Sequence, residues 1–287
     1  MSQTMTRPAP NRVQPLRKRR KQLPFPLNLY QTAIGKKWVM ALTGVGLLGF
    51  VLAHMIGNLH LYEGPLQVNV YGEHLRTLLE PIAPRTFVLW LLRLGLIAMF
   101  ALHIHAAVSL TRMNLQSHAK YQSSRDYIAA NFASRTMRWT GIIIGLFVLF
   151  HLADLTWGWW LGDSYVRGDV YHNVSESLSN IPVGVIYIVA NAALAVHIFH
   201  GVYSLFQSLG INSPAINRAR RGLATGIAGL VLIGNLSFPV LTMAGLINED
   251  NCRAPGATEH PDIKVCSGAK GVAAPAANTT STPEVTR

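Results

Sequence analysis

Charge is what this sequence has least of. Of its 287 residues only 13% are Asp, Glu, Lys or Arg, against about a quarter in ordinary soluble domains. With 50% apolar residues, a chain this poor in charge is excluded from the soluble globular class. Acids are the scarcer sign: 13 against 25 Lys and Arg, a net +12. That surplus does not read as nucleic-acid binding, because the bases are grouped between apolar blocks. Cysteine is nearly absent; Cys252 and Cys266 both follow the last apolar block. In an oxidising compartment they would close a short disulfide loop, and a metal role is the alternative. The first 35 residues contain no apolar core segment, so no cleavable signal peptide is expected.

Five apolar blocks are present, at about 37–61, 86–111, 139–161, 182–207 and 223–247. Each has the roughly 20 residues that carry a helix across a bilayer. The expected fold is all-α: an integral membrane bundle of five transmembrane helices (spans I–V). Residues 1–35 would be a basic, disordered tail, 36–247 the membrane domain, and 248–287 a tail on the opposite side. Basic residues gather at Arg17–Lys21, Lys36 and Lys37, at Arg112, Lys120, Arg125, Arg135 and Arg138, and at Arg218, Arg220 and Arg221. The alternate loops hold Glu63, Glu73, Glu80, Asp163, Asp169 and Glu176. The positive-inside rule then places the N-terminus in the cytoplasm and the C-terminus outside. Trp157, Trp159 and Trp160 read as an outer interfacial belt. Residues 71–80, with leucines at helical spacing, read as a short interfacial helix. Arg93, inside span II, needs an acidic partner or must snorkel to the surface.

Histidines inside such spans are functional candidates, and their depths can be compared at about 1.5 Å per residue. His54 lies 17 residues beyond Lys37 and His151 lies 13 beyond Arg138, roughly 25 and 20 Å from the inner side. His103 is 9 residues before Arg112 and His197 is 10 before Gln207, roughly 13 and 15 Å from that side. Spans I and III therefore share an outer pair and spans II and IV an inner pair. Two imidazoles at one depth on different helices are what a low-spin haem iron requires, so two stacked haems would give an electron path across the bilayer. His105 points away from His103. His200 lies nearly on the face of His197 and is a candidate for a haem propionate or a quinone. His60 sits at the outer boundary; His74, His118, His172 and His260 read as loop-surface residues.

The motifs HMIGNLHL around His54, ALHIHAAVSLTRMN around His103, MRWTGIIIGLFVLFHLADLT around His151 and HIFHGVYSLFQSLG around His197 resemble the cytochrome b membrane anchor of bacterial succinate:quinone oxidoreductases and fumarate reductases. The likeness is to the single-anchor, five-helix, two-haem type and covers about residues 30–247. It implies two b haems ligated by His54, His103, His151 and His197; Leu110 and Thr111 favour His103 over His105. It also implies an iron–sulfur subunit and a flavoprotein subunit as partners, menaquinone as electron acceptor, and a bacterial plasma membrane. Flavin chemistry would lie on another chain, since nothing here resembles a soluble dinucleotide-binding domain. Some fumarate-reducing members carry a glutamate two residues before the fourth ligand, where this chain has Ala195.

A quinone site needs hydrogen-bonding groups near an apolar slot. Asn58, Glu73, Arg76, Glu80, Asp154 and Trp157 are the outer candidates. The basic segments 112–138 and 212–221 are the expected dock for the iron–sulfur subunit. Cys252, His260 and Cys266 include the ligand types of a [2Fe–2S] centre of the two-Cys, two-His kind, which could stand in place of one haem. A haem-free structural anchor and a histidine-containing transporter are the rival readings.

Overall fold

The computed structural model describes residues 23–25, 27–118, 128–211, 213–253, 260 and 263–268. Most of the basic tail, the middle of the segment 112–138 and most of the C-terminal tail lie outside the described residues.

The chain folds into helices joined by short turns, and five of them are long and apolar enough to cross a membrane. They are α2 (Ala33–Asn58), α4 (Phe87–His118), α5 (Ile128–His151), α7 (Ile181–Ser208) and α8 (Pro214–Met243). Three short helices complete the set: α1 (Leu27–Gln31), α3 (Pro65–Arg76) and α6 (Val170–Ser179). Local chemistry marks their starts. The Thr32 and Ser213 side chains accept from the Gly35 and Ile216 amides, the usual N-cap arrangement. Pro214 and Pro182 sit in first turns, where a missing N–H costs nothing.

Several expected boundaries move. Span I begins at Ala33, preceded by α1, so residues 27–31 and 33–35 are helical, with Thr32 the extended cap between them, where the basic tail was expected. A capping threonine and a docked tyrosine, described below, order this stretch despite its polarity. The interfacial helix runs from Pro65 to Arg76, earlier than 71–80, because Pro65 starts it and Thr77 closes it. Span III ends in a π-helical turn, Leu152–Thr156, so Trp157, Trp159 and Trp160 lie beyond it, exposed. Arg93 is exposed and stacks on Trp90 at 5.1 Å, the surface-reaching alternative for that side chain.

α2 packs along α4, and α5 along α7; α7 also touches α2, and α8 lies against α7. Among the spans, α4 is the least buried and α7 the most. The largest core is at the end away from the N-terminus. There Met55, Leu61, Val68, Tyr171, Val174, Leu178 and Phe238 pack with Ile247, Cys252, Val265 and Cys266. We call this the far end, and the end bearing α1 the near end.

The far-end cap holds a surprise for the sequence reading. Residues 170–179 form a helix whose polar side chains turn inward: Tyr171, His172, Asn173, Ser175 and Ser177 are all buried. His172 is thus not a surface residue. Its Nε2 donates to the Ser164 carbonyl at 2.8 Å and its Nδ1 lies 3.0 Å from Glu249. Asn69 Nδ2 donates to Asp169 and to the Lys264 carbonyl, both at 2.9 Å. Asn69 Oδ1 accepts from the Val170 and Tyr171 amides. Asp169 Oδ2 accepts from the Ser267 amide at 2.7 Å. Burial pushes the Tyr171 hydroxyl above the ordinary phenol range.

Cys252 and Cys266 are joined in a disulfide, which ties the segment 263–268 to the turn Glu249–Arg253, while Asn69 and Asp169 hold the same segment against α3 and the start of α6. The pairing consumes both sulfurs that the iron–sulfur alternative needed. No group of three or more His, Cys, Asp or Glu among the described residues is arranged to hold a metal ion. That alternative is therefore withdrawn for Cys252, His260 and Cys266.

Candidate functional site: two histidine layers

The four span histidines meet in two pairs. His54 of α2 faces His151 of α5 with ring centroids 6.0 Å apart. His103 of α4 faces His197 of α7 at 6.4 Å. Each pair bridges two helices that do not pack closely on one another. His54 is exposed and the other three are half-buried, so all four present ring surface to open space.

Two imidazoles bound to one iron, with Fe–N near 2.0 Å, would have ring centroids about 6.3 Å apart. Both observed spacings suit that value. Ordinary edge contacts between rings span it too, so the hydrogen bonds at Nδ1 carry more weight. His103 Nδ1 lies 3.1 Å from the Met40 carbonyl and 3.2 Å from Thr43 Oγ1. His197 Nδ1 lies 3.1 Å from Thr140 Oγ1. His151 Nδ1 lies 3.1 Å from the Tyr187 hydroxyl. An Nδ1–H held by the protein sets the tautomer and leaves the Nε2 lone pair for a metal, the arrangement seen around ligating histidines. His54 is steadied differently, by Phe50 stacked at 5.4 Å.

A repeat underlies this geometry. Thr43-Gly44 is followed by His54 after nine residues, and Thr140-Gly141 by His151 after nine. Each threonine returns its own proton to the preceding helical turn, to Val39 and Thr136 at 2.7 Å, so its oxygen can accept from the imidazole. Each glycine lies beside the partner ring: a Cβ on Gly44 or Gly141 would make an ordinary contact, 3.4 or 3.6 Å from the Cε1 of His103 or His197. The 11-residue step separates the layers by about 16 Å along the helices. This Thr-Gly-x9-His repeat was the signal in the sequence that depth arithmetic alone passed over.

The other candidates scatter. His200 is half-buried beside Phe199, one turn from His197. His105 turns away and meets the Tyr30 hydroxyl of α1 at 2.6 Å. Asn58 ends α2, half-buried. Glu73 is held by Arg76 at 3.1 Å and by Arg85 at 2.5 Å, an ion-pair cluster that fastens α3 to the following loop. Glu80 and Trp157 are exposed. Among the described residues no hydrogen bond or ion pair joins Asp154 to Glu73, Arg76 or Glu80; it is buried and bonded to Ser177 and Tyr187. The six quinone candidates thus do not converge into one pocket by direct contact. Between α5 and α7, at depths between the two layers, lies an apolar groove of about 380 Å³ walled by Phe147, Phe150, Ile186 and Val189.

Replacing Thr43 or Thr140 by valine keeps the side-chain shape and removes the acceptor. The expected outcome is a cofactor still bound but about 10-fold more weakly, read as faster extraction on dilution. Unchanged retention in both variants would show that the threonines serve only helix packing.

No curated protein and no solved structure compared with the chain matches it. A family model does match, over residues 120–236, a segment that holds His151 and His197 and the second Thr-Gly-x9-His unit. Over that segment the chain is similar to the succinate dehydrogenase/fumarate reductase transmembrane subunit family.

Proposed function

We propose that the chain is the quinone-reactive cytochrome b subunit of a succinate:quinone oxidoreductase, holding two b haems through His54/His151 and His103/His197. The observation that carries this reading is the doubled layer: two imidazole pairs at haem-compatible spacing, with three of four Nδ1 atoms engaged by protein. Bound there, the haems would supply one-electron transfer between a soluble donor and a membrane quinone. Layers about 16 Å apart cover half of a roughly 30 Å hydrocarbon core, so the pairs divide the crossing between them.

The chain's own residues have separable duties in this scheme. Met40, Thr43, Thr140 and Tyr187 orient the rings of His103, His197 and His151, and Phe50 steadies that of His54. The surrounding apolar side chains exclude water. The groove beside Phe147 and Phe150 has the size of a small-molecule site and would take the isoprenoid tail of menaquinone. His200, one turn nearer the near end than His197, suits a propionate or a polar headgroup.

The near end would face the cytoplasm by its basic residues, and the far-end cap with its disulfide would face outside, in the plasma membrane of a bacterium. An iron–sulfur subunit, relaying electrons from a flavoprotein subunit, would dock at the near end. Arg218 and Arg221 are exposed there. Arg220 is not part of that surface: it is buried against Tyr203, with a hydrogen bond of 2.9 Å.

The test is a reduced-minus-oxidised spectrum of the purified complex with haem counted per copy of this chain. Two low-spin b haems are expected. A haem-free complex that still assembles would replace this reading with that of a structural anchor.

A further inference from the structure

We infer that Asp154 and Tyr187 form a positioning relay that sets the electron affinity of the far-end haem through His151. This inference rests on the proposed ligation by His151.

The relay is directional. Tyr187 donates its one proton to Asp154 Oδ2 at 2.9 Å, and Ser177 donates to the same oxygen at 2.6 Å. A phenol that has given its proton away can only accept on its other side. The His151 Nδ1, 3.1 Å from that phenol, is therefore the donor. The chain of donors runs His151 Nδ1–H to Tyr187 O–H to the Asp154 carboxylate, and it leaves Nε2 as the free base.

Three features make this more than packing. Asp154 is 1% exposed, so its interactions act with little solvent screening. Its Oδ1 is enclosed without a hydrogen-bond partner in the described structure, and no ion pair among the described residues includes Asp154. A buried carboxylate without a cation is costly, and the iron–porphyrin core of a ferric b haem with two neutral imidazoles would carry one positive charge, its propionates apart. Third, no such connection to an acid is found at the near-end pair among the described residues: His103 and His197 meet the Met40 and Met137 carbonyls and the Thr43 and Thr140 hydroxyls. The two layers share a scaffold, and among the described residues only the far-end layer is wired to an acid.

The backbone supports the placement. The π-helical turn at Leu152–Thr156 follows His151 directly. Such widened turns are frequent at functional sites, and this one carries the buried Asp154 that meets Tyr187 of α7.

Asp154 and Tyr187 thus stabilise the oxidised form at the far-end layer by strengthening His151 as a donor to iron and by opposing the ferric charge. They are positioning residues, not catalytic ones. Spectropotentiometric titration of the intact complex tests this, using Asp154→Asn and Tyr187→Phe, with the far-end component identified as the one lost in His54→Leu. Asn keeps the shape and one acceptor while removing the charge; Phe breaks the relay and leaves Asp154 in place.

The expected result is two haems per chain, a raised midpoint potential for the far-end component in both variants, and an unmoved near-end component. Equal shifts of both components, or an unmoved far-end midpoint with both haems present, would overturn the relay while leaving the haem assignment intact. Absence of haem from the unsubstituted complex would instead strike the ligation on which the relay depends.

Discussion

Replacing His151 by leucine is expected, on the proposed two-haem ligation, to remove one of two b-type spectral components and leave the other in place. His54→Leu should remove the same component, and His103→Leu or His197→Leu should each remove its counterpart. His54 and His151 face each other at 6.0 Å, as do His103 and His197 at 6.4 Å, and no described contact joins the layers through a shared histidine. Loss of a single supporting group around a metal ligand already costs about 10–100-fold in affinity or activity. Loss of the ligand itself should therefore reduce succinate-driven quinone reduction by about 100-fold or more. Haem quantification alongside the spectrum checks the outcome. A variant that lost both components together would show that the four histidines form one coupled site rather than two layers.

Reduction of the disulfide is expected to loosen the far end without disturbing the spans. Cys252 and Cys266 are 14 residues apart; closing a loop of that size stabilises a fold by about 3 kcal/mol in the chain-entropy account. The covalent link acts with the Asn69–Asp169 network, which holds the same segment by the Ser267 amide and the Lys264 carbonyl. Asp169→Ala would strand one of the two Asn69 Nδ2 hydrogens and the Ser267 amide, at about 1–3 kcal/mol for each donor left unmet. Cys252→Ser with Cys266→Ser, and Asp169→Ala separately, should lower the thermal midpoint and expose the stretch around residues 248–268 to protease. Haem spectra should change little, since Asp169 contacts neither layer. Protease resistance equal to that of the unsubstituted protein would mean that apolar packing of Val265 and Ile247 suffices.

These two expectations rest on different levels of the chain. The spans were legible because a bilayer imposes a length and a composition on any helix that crosses it. The depth of each histidine was legible because a helix rises uniformly, so counting from Lys37, Arg138, Arg112 and Gln207 placed four residues in two layers. The pairing then followed in the structure. The ends of the spans were less legible. Whether residues 27–35 were tail or helix depended on Thr32 capping α2 and on Tyr30 reaching His105, contacts 75 residues apart in the second case. Helix α6 was missed because its polar residues imitate a loop; they are buried only because Asn69, Ser164 and Glu249 meet them from elsewhere.

By itself, the sequence determined the class of solvent, the number of crossings and the heights of the imidazoles, since each follows from a repeating geometry and local composition. Only the tertiary structure decided which atoms answer the Nδ1 groups, that Cys252 and Cys266 bond to each other, and that Asp154 turns inward to Tyr187 rather than outward to Glu73 and Arg76. Those outcomes depend on side-chain direction and on partners distant in the chain, for which helical periodicity supplies no rule.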